Sequence, residues 1–192
     1  KIKDIPFSNE LLKKLPFLSK DTSKVILVTG HRRENYVKGM EEIAKSLELI
    51  ASRNPELKIV YPVHMNKNLK KDLKESLYRE KNIFLIEPLD YINFVKLMLR
   101  SYIILTDSGG IQEEAPSLNK PVLLMRENTE RPEAVSAGTV RMVGANHKNI
   151  ITEVDKLLSD ERYYESMVNL KNPYGDGKAS EKILSFLLKQ LS

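Results

Sequence analysis

Short apolar runs rich in β-branched residues alternate along this chain with stretches whose apolar residues recur at helical spacing. Val25-Ile26-Leu27-Val28-Thr29 is the first such run, and it ends at Gly30. Lys38 to Arg53 then puts Met40, Ile43, Ala44, Leu47, Ile50 and Ala51 on one stripe, which predicts an amphipathic helix. Leu57 to Tyr61 reads as a strand stopped by Pro62. Asn66 to Tyr78 reads as a Lys-rich helix, with Leu69, Leu73 and Leu77 spaced by four. Ile83 to Ile86 is a third strand, closed by Pro88, and Asp90 is placed to cap the helix that carries Phe94, Leu97 and Met98.

The alternation continues with strand Tyr102 to Thr106, a Ser-Gly-Gly turn, a short helix, strand Pro121 to Met125 and a last short strand from Thr139 to Val143. Helices are expected at about Asn149–Leu158, Glu161–Leu170 and Ala179–Leu191, and a helix-like Ser8–Leu15 leads into the first strand. The strands are continuous apolar runs, so both of their faces should be covered. Strand–helix–strand alternation at this spacing implies right-handed crossovers and an open parallel sheet. The expected fold is therefore α/β, a doubly wound domain with a parallel sheet.

Composition narrows the chemistry. The 192 residues contain no Cys, which excludes disulfides, zinc-thiolate sites and cysteine nucleophiles. No window approaches the length of an apolar membrane span. Lys1-Ile2-Lys3-Asp4 lacks the apolar core of a signal peptide, so a cytoplasmic protein is expected. The first residue is not Met, as in a fragment of a longer chain. The formal charge of +5 is spread among acids, with no basic stripe interleaved with aromatics, so nucleic acid is not an expected partner. A small anionic ligand fits that charge. Three histidines without HxxxH spacing offer no metal site.

In open parallel sheets, ligands bind beyond the carboxyl ends of the strands. Three loops stand out there. In Thr106-Asp107-Ser108-Gly109-Gly110-Ile111-Gln112-Glu113-Glu114, a buried strand runs into two glycines and a helix. Glycines let backbone approach an anion closely, and first-turn N–H groups point at it. Ser108 is placed to cap the helix or to offer its hydroxyl to a phosphate. Glu114, one turn in and inclined back, suits the hydroxyls of a ribose better than a phosphate. An ordinary capped turn gives the same spacing.

Gly30-His31-Arg32-Arg33-Glu34-Asn35 is the second loop, dense in donors at the end of a buried strand. Arginine forks bind phosphate oxygens, and His31 is suited to donate to a diphosphate or to move a proton. A solvated loop with local Arg–Glu pairs is the alternative. The third loop holds Thr129-Glu130-Arg131-Pro132-Glu133. Pro132 suits the first position of a helix, which sets Arg131 beside a helix N-terminus. A cation there is unfavourable unless an anion compensates it, whether a ligand or a neighbouring Glu130 or Glu133. His64, in Tyr61-Pro62-Val63-His64, and the turn-rich Asn172 to Gly177 are weaker signals, the latter reading as a tight surface turn.

Taken together, GHRREN (Gly30–Asn35), YPVH (Tyr61–His64), PLDY (Pro88–Tyr91), TDSGGIQEEAP (Thr106–Pro116), TERPE (Thr129–Glu133) and NPYGDG (Asn172–Gly177) resemble the non-hydrolysing UDP-N-acetylglucosamine 2-epimerases. The resemblance runs from about Val25 to the C-terminus. It implies that residues 1–192 are the C-terminal, UDP-binding Rossmann-like half of a GT-B two-domain enzyme. The N-terminal half, which holds the family's catalytic Asp and Glu, has no counterpart in these residues.

The resemblance implies interconversion of UDP-GlcNAc and UDP-ManNAc by elimination and re-addition of UDP, without a cofactor or metal and without nucleic acid or membrane, by a full-length homodimer serving polysaccharide biosynthesis. It gives Ser108, Gly109 and Gly110 to the phosphates and Glu114 to the ribose. His31 and Arg131 go to the diphosphate, with His31 the catalytic residue near the sugar, and Phe94 lies against the uracil. Arg32 and His64 match positions that contact a second, activating UDP-GlcNAc. A GT-B glycosyltransferase or a non-catalytic nucleotide-sugar-binding module would grip the same ligand.

Overall fold

The computed structural model describes residues 4–19, 22–30, 38–63, 77 and 79–191. Six parallel strands form one sheet: β1 (Val25–Thr29), β2 (Lys58–Pro62), β3 (Ile83–Ile86), β4 (Ile103–Thr106), β5 (Val122–Leu124) and β6 (Val140–Met142). Their spatial order is β3-β2-β1-β4-β5-β6, with β1 paired to both β2 and β4. The sheet therefore reverses its winding between β1 and β4. That is the switch point where open α/β sheets hold ligands.

Alternation along each strand divides the core in two. Ile26, Val28, Ile59, Tyr61, Ile103 and Leu105 face one layer of helices, α2 (Lys38–Arg53) and α6 (His147–Ser159). Val25, Leu27, Val60, Ile104, Val122 and Leu124 face the other, with α1 (Asn9–Lys14) and α3 (Tyr91–Arg100). All five residues of β1 and all four of β4 are buried, as continuous apolar runs require. Each large aliphatic side chain so buried is worth about 1.5–3 kcal/mol.

Caps set the helix bounds. Ser8 and Asp90 accept from the backbone N–H groups of Leu11 and Asn93 at the starts of α1 and α3. Hydrogen bonds from the Asn93 backbone and then its side chain lower the Asp90 pKa. The helix expected from Asn149 begins instead at His147, because the Asn146 side chain accepts from Asn149 N–H. Asp160 ends α6 and caps α7 (Glu161–Val168), which stops two residues short of the expected Leu170. Strands β2, β4, β5 and β6 differ from their expected bounds by one residue at one or both ends, while β1 and β3 match. The helix expected over 66–78 lies outside the described residues except for Leu77, which is buried.

The last helix, α8 (Ala179–Leu191), stands apart. Ile183, Leu184, Phe186, Leu187 and Leu188 are each 50–63% exposed. No described helix is long and apolar enough to cross a membrane.

Candidate diphosphate site at the end of the central strands

Thr29 and Thr106 are register partners at the ends of β1 and β4, and their hydroxyls lie 2.6 Å apart. Both are buried, so the pair ties the two central strands together at the switch point. The Thr106 hydroxyl also accepts from Ser108 N–H (3.0 Å), while Asp107 N–H donates to Thr29 carbonyl (3.1 Å). These bonds turn the chain from β4 into α4 (Gly109–Glu114) within two residues. Beside them, the buried Tyr61 hydroxyl donates to the Gly30 carbonyl (2.9 Å), fixing the exit from β1. His31, Arg32 and His64, with the rest of the loop from Arg33 to Asn35, lie outside the described residues.

Ser108 occupies the N-cap position of α4, yet its side chain makes no capping hydrogen bond. Its hydroxyl is thus not committed to the helix it precedes. Gly109 is buried beneath the Arg131 guanidinium: a Cβ added there would lie 2.8 Å from Nη1 and 3.0 Å from Cζ. A side chain here would press on the guanidinium, a matter of close approach and not of backbone angle. Glu114 folds back over the first turn, its Oε1 3.9 Å from where a Gly110 Cβ would stand. The Tyr91 hydroxyl, at the start of α3, donates to Glu114 Oε2 at 3.5 Å. Phe94, one turn further along α3, is half-buried and packs against the second core layer.

Arg131 arrives from the loop after β5 through a relay that sequence reading missed. Buried Gln112 on α4 donates to Ser108 carbonyl (3.4 Å) and accepts from the Thr129 hydroxyl (2.7 Å). The same hydroxyl accepts from Arg131 N–H (3.0 Å). Arg131 is the N-cap of α5 (Pro132–Ser136), with Pro132 at its first position as expected. Its Nε donates to Glu113 Oε1.

The compensating acid is thus Glu113. Glu130 is held by Arg126 through two bonds (2.7 and 2.9 Å) and approaches Arg131 only at 3.9 Å. The Glu113 hydrogen bond is also the main cause that raises the Arg131 pKa, so this cation keeps its charge.

The turn Asn172 to Gly177 lies largely exposed on the surface and is tied by hydrogen bonds to the same corner. Asn172 donates to Glu113 carbonyl (3.2 Å) and to the Ser117 hydroxyl, and Tyr174 donates to Arg131 carbonyl (3.5 Å). Gly175 and Gly177 take φ of 105° and 80°, a backbone region that excludes most side chains. The corner therefore gathers N–H groups, a free hydroxyl, a guanidinium and a folded-back carboxylate. That set suits a phosphorylated ligand carrying vicinal hydroxyls.

A family model described as UDP-N-acetylglucosamine 2-epimerase matches residues 2–188. The UDP-N-acetylglucosamine 2-epimerase of Campylobacter jejuni is 57% identical over 169 residues, which are 88% of this chain and 44% of that protein. Its counterpart from Escherichia coli K12 is 53% identical over 179 residues, 93% of this chain and 47% of that protein. Among solved structures, UDP-GlcNAc 2-epimerase from Neisseria meningitidis, bound to UDP-GlcNAc, matches with a TM-score of 0.85 at 50% identity, over 94% of this chain and 48% of that one. The chain thus spans about half the length of the relatives it matches. On the strength of that match across nearly all its residues, the chain belongs to the UDP-N-acetylglucosamine 2-epimerase family.

Proposed function

We propose that this chain is the UDP-binding C-terminal half of a cytoplasmic, homodimeric GT-B enzyme that interconverts UDP-GlcNAc and UDP-ManNAc. The observation that carries this reading is the Arg131 guanidinium lying over Gly109, with Glu114 folded back one turn away. A diphosphate at the corner receives the N–H groups of Gly109 and Gly110, the Ser108 hydroxyl and Arg131. The ribose hydroxyls donate to Glu114, and Phe94 supports the uracil.

In this reaction a base removes the C2 proton of the sugar while the C1–O bond to UDP breaks. The electron pair of the C2–H bond becomes the C1=C2 double bond of a glycal, and UDP leaves with the electrons of the C1–O bond. Return of a proton to the opposite face of C2, with UDP re-adding at C1, gives the epimer. Charge grows on the leaving diphosphate, so donors held in place before the bond breaks lower the barrier. His31, next after Gly30 at the end of β1, is assigned to the reacting sugar, and Arg32 and His64 to a second, activating UDP-GlcNAc.

The acid–base carboxylates belong to an N-terminal half, and the apolar face of α8 is the surface that half would cover. A helix of 13 residues with five large apolar side chains exposed is marginal alone in water. The isolated chain is therefore expected to bind UDP weakly and to give no turnover.

In D2O, epimerisation replaces the C2 hydrogen with deuterium, so NMR follows it without an acceptor. Adding an N-terminal half in trans should start that exchange. Formation of UDP-ManNAc by the pure isolated chain would overturn this division of labour. Glu114→Ala should weaken UDP about tenfold while sparing inorganic pyrophosphate; equal loss of both ligands would remove the ribose role.

A further inference from the structure

A cavity of about 330 Å³ lies at the other end of the sheet from the diphosphate corner. Phe7, Lys96, Leu99, Arg100, Leu118 and Lys120 line it. Its position follows from the strands: Lys120 stands just before β5, Leu118 closes the short 3-10 turn ahead of it, and Arg100 ends α3 just before β4. Arg100 Nη2 donates to the Ser23 carbonyl (3.0 Å), two residues before β1. The cavity thus sits beside the amino ends of β1, β4 and β5. The diphosphate corner is at their carboxyl ends, about 13 Å away along a four-residue strand.

Lys96 is the feature that packing does not explain. It is 6% exposed, and its Nζ has no hydrogen-bond partner. The Phe7 ring is the group that faces the ammonium, 4.0 Å away at its centroid. A buried ammonium is costly unless a partner of opposite charge compensates it, and a ring face supplies only part of that compensation. Burial accordingly lowers the Lys96 pKa. Lysines are rarely buried unpaired, and α3 has a solvent-facing side on which an amine would be hydrated.

The wall around Lys96 tells what would compensate it. Three of the six lining residues are cationic and three apolar, and none is acidic. A volume of this size is at the lower end for small-molecule sites. We propose that this cavity is a second ligand site, for a small organic anion whose carboxylate or phosphate meets Lys96, Arg100 and Lys120 while its apolar body lies against Phe7, Leu99 and Leu118. Inorganic phosphate lacks the body, and a neutral aromatic amide lacks the charge, so neither meets both halves of the wall.

Phenylacetate, phenyl phosphate, phenylacetamide and inorganic phosphate are the probes, titrated into methyl-labelled protein with the Leu99 and Leu118 resonances followed by NMR. Phenylacetate or phenyl phosphate is expected to shift both methyl groups saturably, with a Kd of about 1 mM or tighter. Which of the two binds more tightly identifies the head group. Phenylacetamide and inorganic phosphate should each bind about tenfold more weakly.

Lys96→Met, which keeps the length and removes the charge, should weaken the better anion at least fivefold and leave phenylacetamide unchanged. Lys120→Gln, at the less buried rim, should weaken it in the same direction, which keeps the test independent of the core. UDP affinity should not change in either variant. Binding of the amide or of inorganic phosphate as tight as the organic anion, no saturable shift with either anion, or indifference to both substitutions would each overturn the proposal.

Discussion

Gly109→Ala is expected to disable the diphosphate corner by moving a side chain twenty-two positions away. The added Cβ would stand 2.8 Å from Arg131 Nη1, whereas favourable contact begins near 3.5 Å. The guanidinium must then retreat by roughly 0.7 Å. It cannot do so freely, since its Nε is held by Glu113 and its backbone N–H by Thr129. A charge-assisted bond of about 2.8 Å stretched by that much, to about 3.5 Å, loses most of its strength. Loss of one such bond to a phosphate costs about 1.5–3 kcal/mol, so UDP should bind roughly ten- to hundredfold more weakly.

Isothermal titration of wild type, Gly109→Ala, Arg131→Ala and the double variant makes the test a thermodynamic cycle. Because the alanine acts through Arg131, the double variant should lie within about threefold of Arg131→Ala alone. Gly109 has no positive φ and begins a helix, so the melting temperature should hardly move. Fully additive losses in binding would refute the reasoning, since the methyl group would then be acting on the ligand and not on the arginine.

Stability offers three further tests. Asn82→Ala removes the amide that serves the carbonyls of Ala51, Asn54 and Leu57 at 3.0–3.1 Å, so it should cost about 2 kcal/mol and lower Tm by roughly 4–8 °C. A Tm within a degree of wild type would mean that those carbonyls find other donors.

Lys96→Met should raise stability at pH 7 by about 1 kcal/mol, the relief of a buried charge exceeding the lost ring contact. The native pKa of Lys96 is depressed below 10.5, so between the two values the unfolded chain binds more protons and wild type gains stability as pH rises. The advantage of the variant should therefore shrink towards pH 10.5 in denaturant melts, and a constant gap would contradict it. Burial, and then the neighbouring Tyr102, push the Tyr164 hydroxyl up to about 12. Its contribution is present below pH 10 and lost between about 10 and 12, and absorbance titration at 295 nm should show a late tyrosine transition near pH 12 that Tyr164→Phe removes.

The sheet was legible in the sequence because its information is local. Five successive buried residues in β1 leave little choice of element, and the strand-end rule then selects Ser108, Gly109, Gly110, Glu114 and Arg131 as neighbours without any contact being known. The structure brings these five together in one corner. Less legible was which acid neutralises Arg131. Glu130 and Glu133 are near in sequence, yet Glu130 turns to Arg126 and Glu113 reaches across from another loop.

A signal for Glu113 was available. Adjacent residues on a helix point about 100° apart, so Glu113 and Glu114 cannot face the same partner. One serves the arginine and the other folds over Gly110. The docking of Asn172 and Tyr174 had no such local signal, because a turn-forming composition describes the turn and not the surface it meets.

That arrangement also bears on which anions the corner accepts. Arg131 is already satisfied by Glu113, so a ligand gains from it only what it adds beyond one carboxylate. A phosphate monoester such as UMP offers one set of oxygens and less charge than a diphosphate, and would have to share the guanidinium with Glu113. A diphosphate brings more charge and a second set of oxygens, which can meet the N–H groups of Gly109 and Gly110 while Arg131 keeps Glu113 as its second partner. The acid thus acts as a threshold, holding the guanidinium over Gly109 and discriminating against weak anions. On this argument Glu113→Gln should narrow the preference for UDP over UMP, with UMP gaining affinity and UDP changing least. A parallel loss of both nucleotides in calorimetric titrations would mean that Glu113 serves only to hold Arg131 in place.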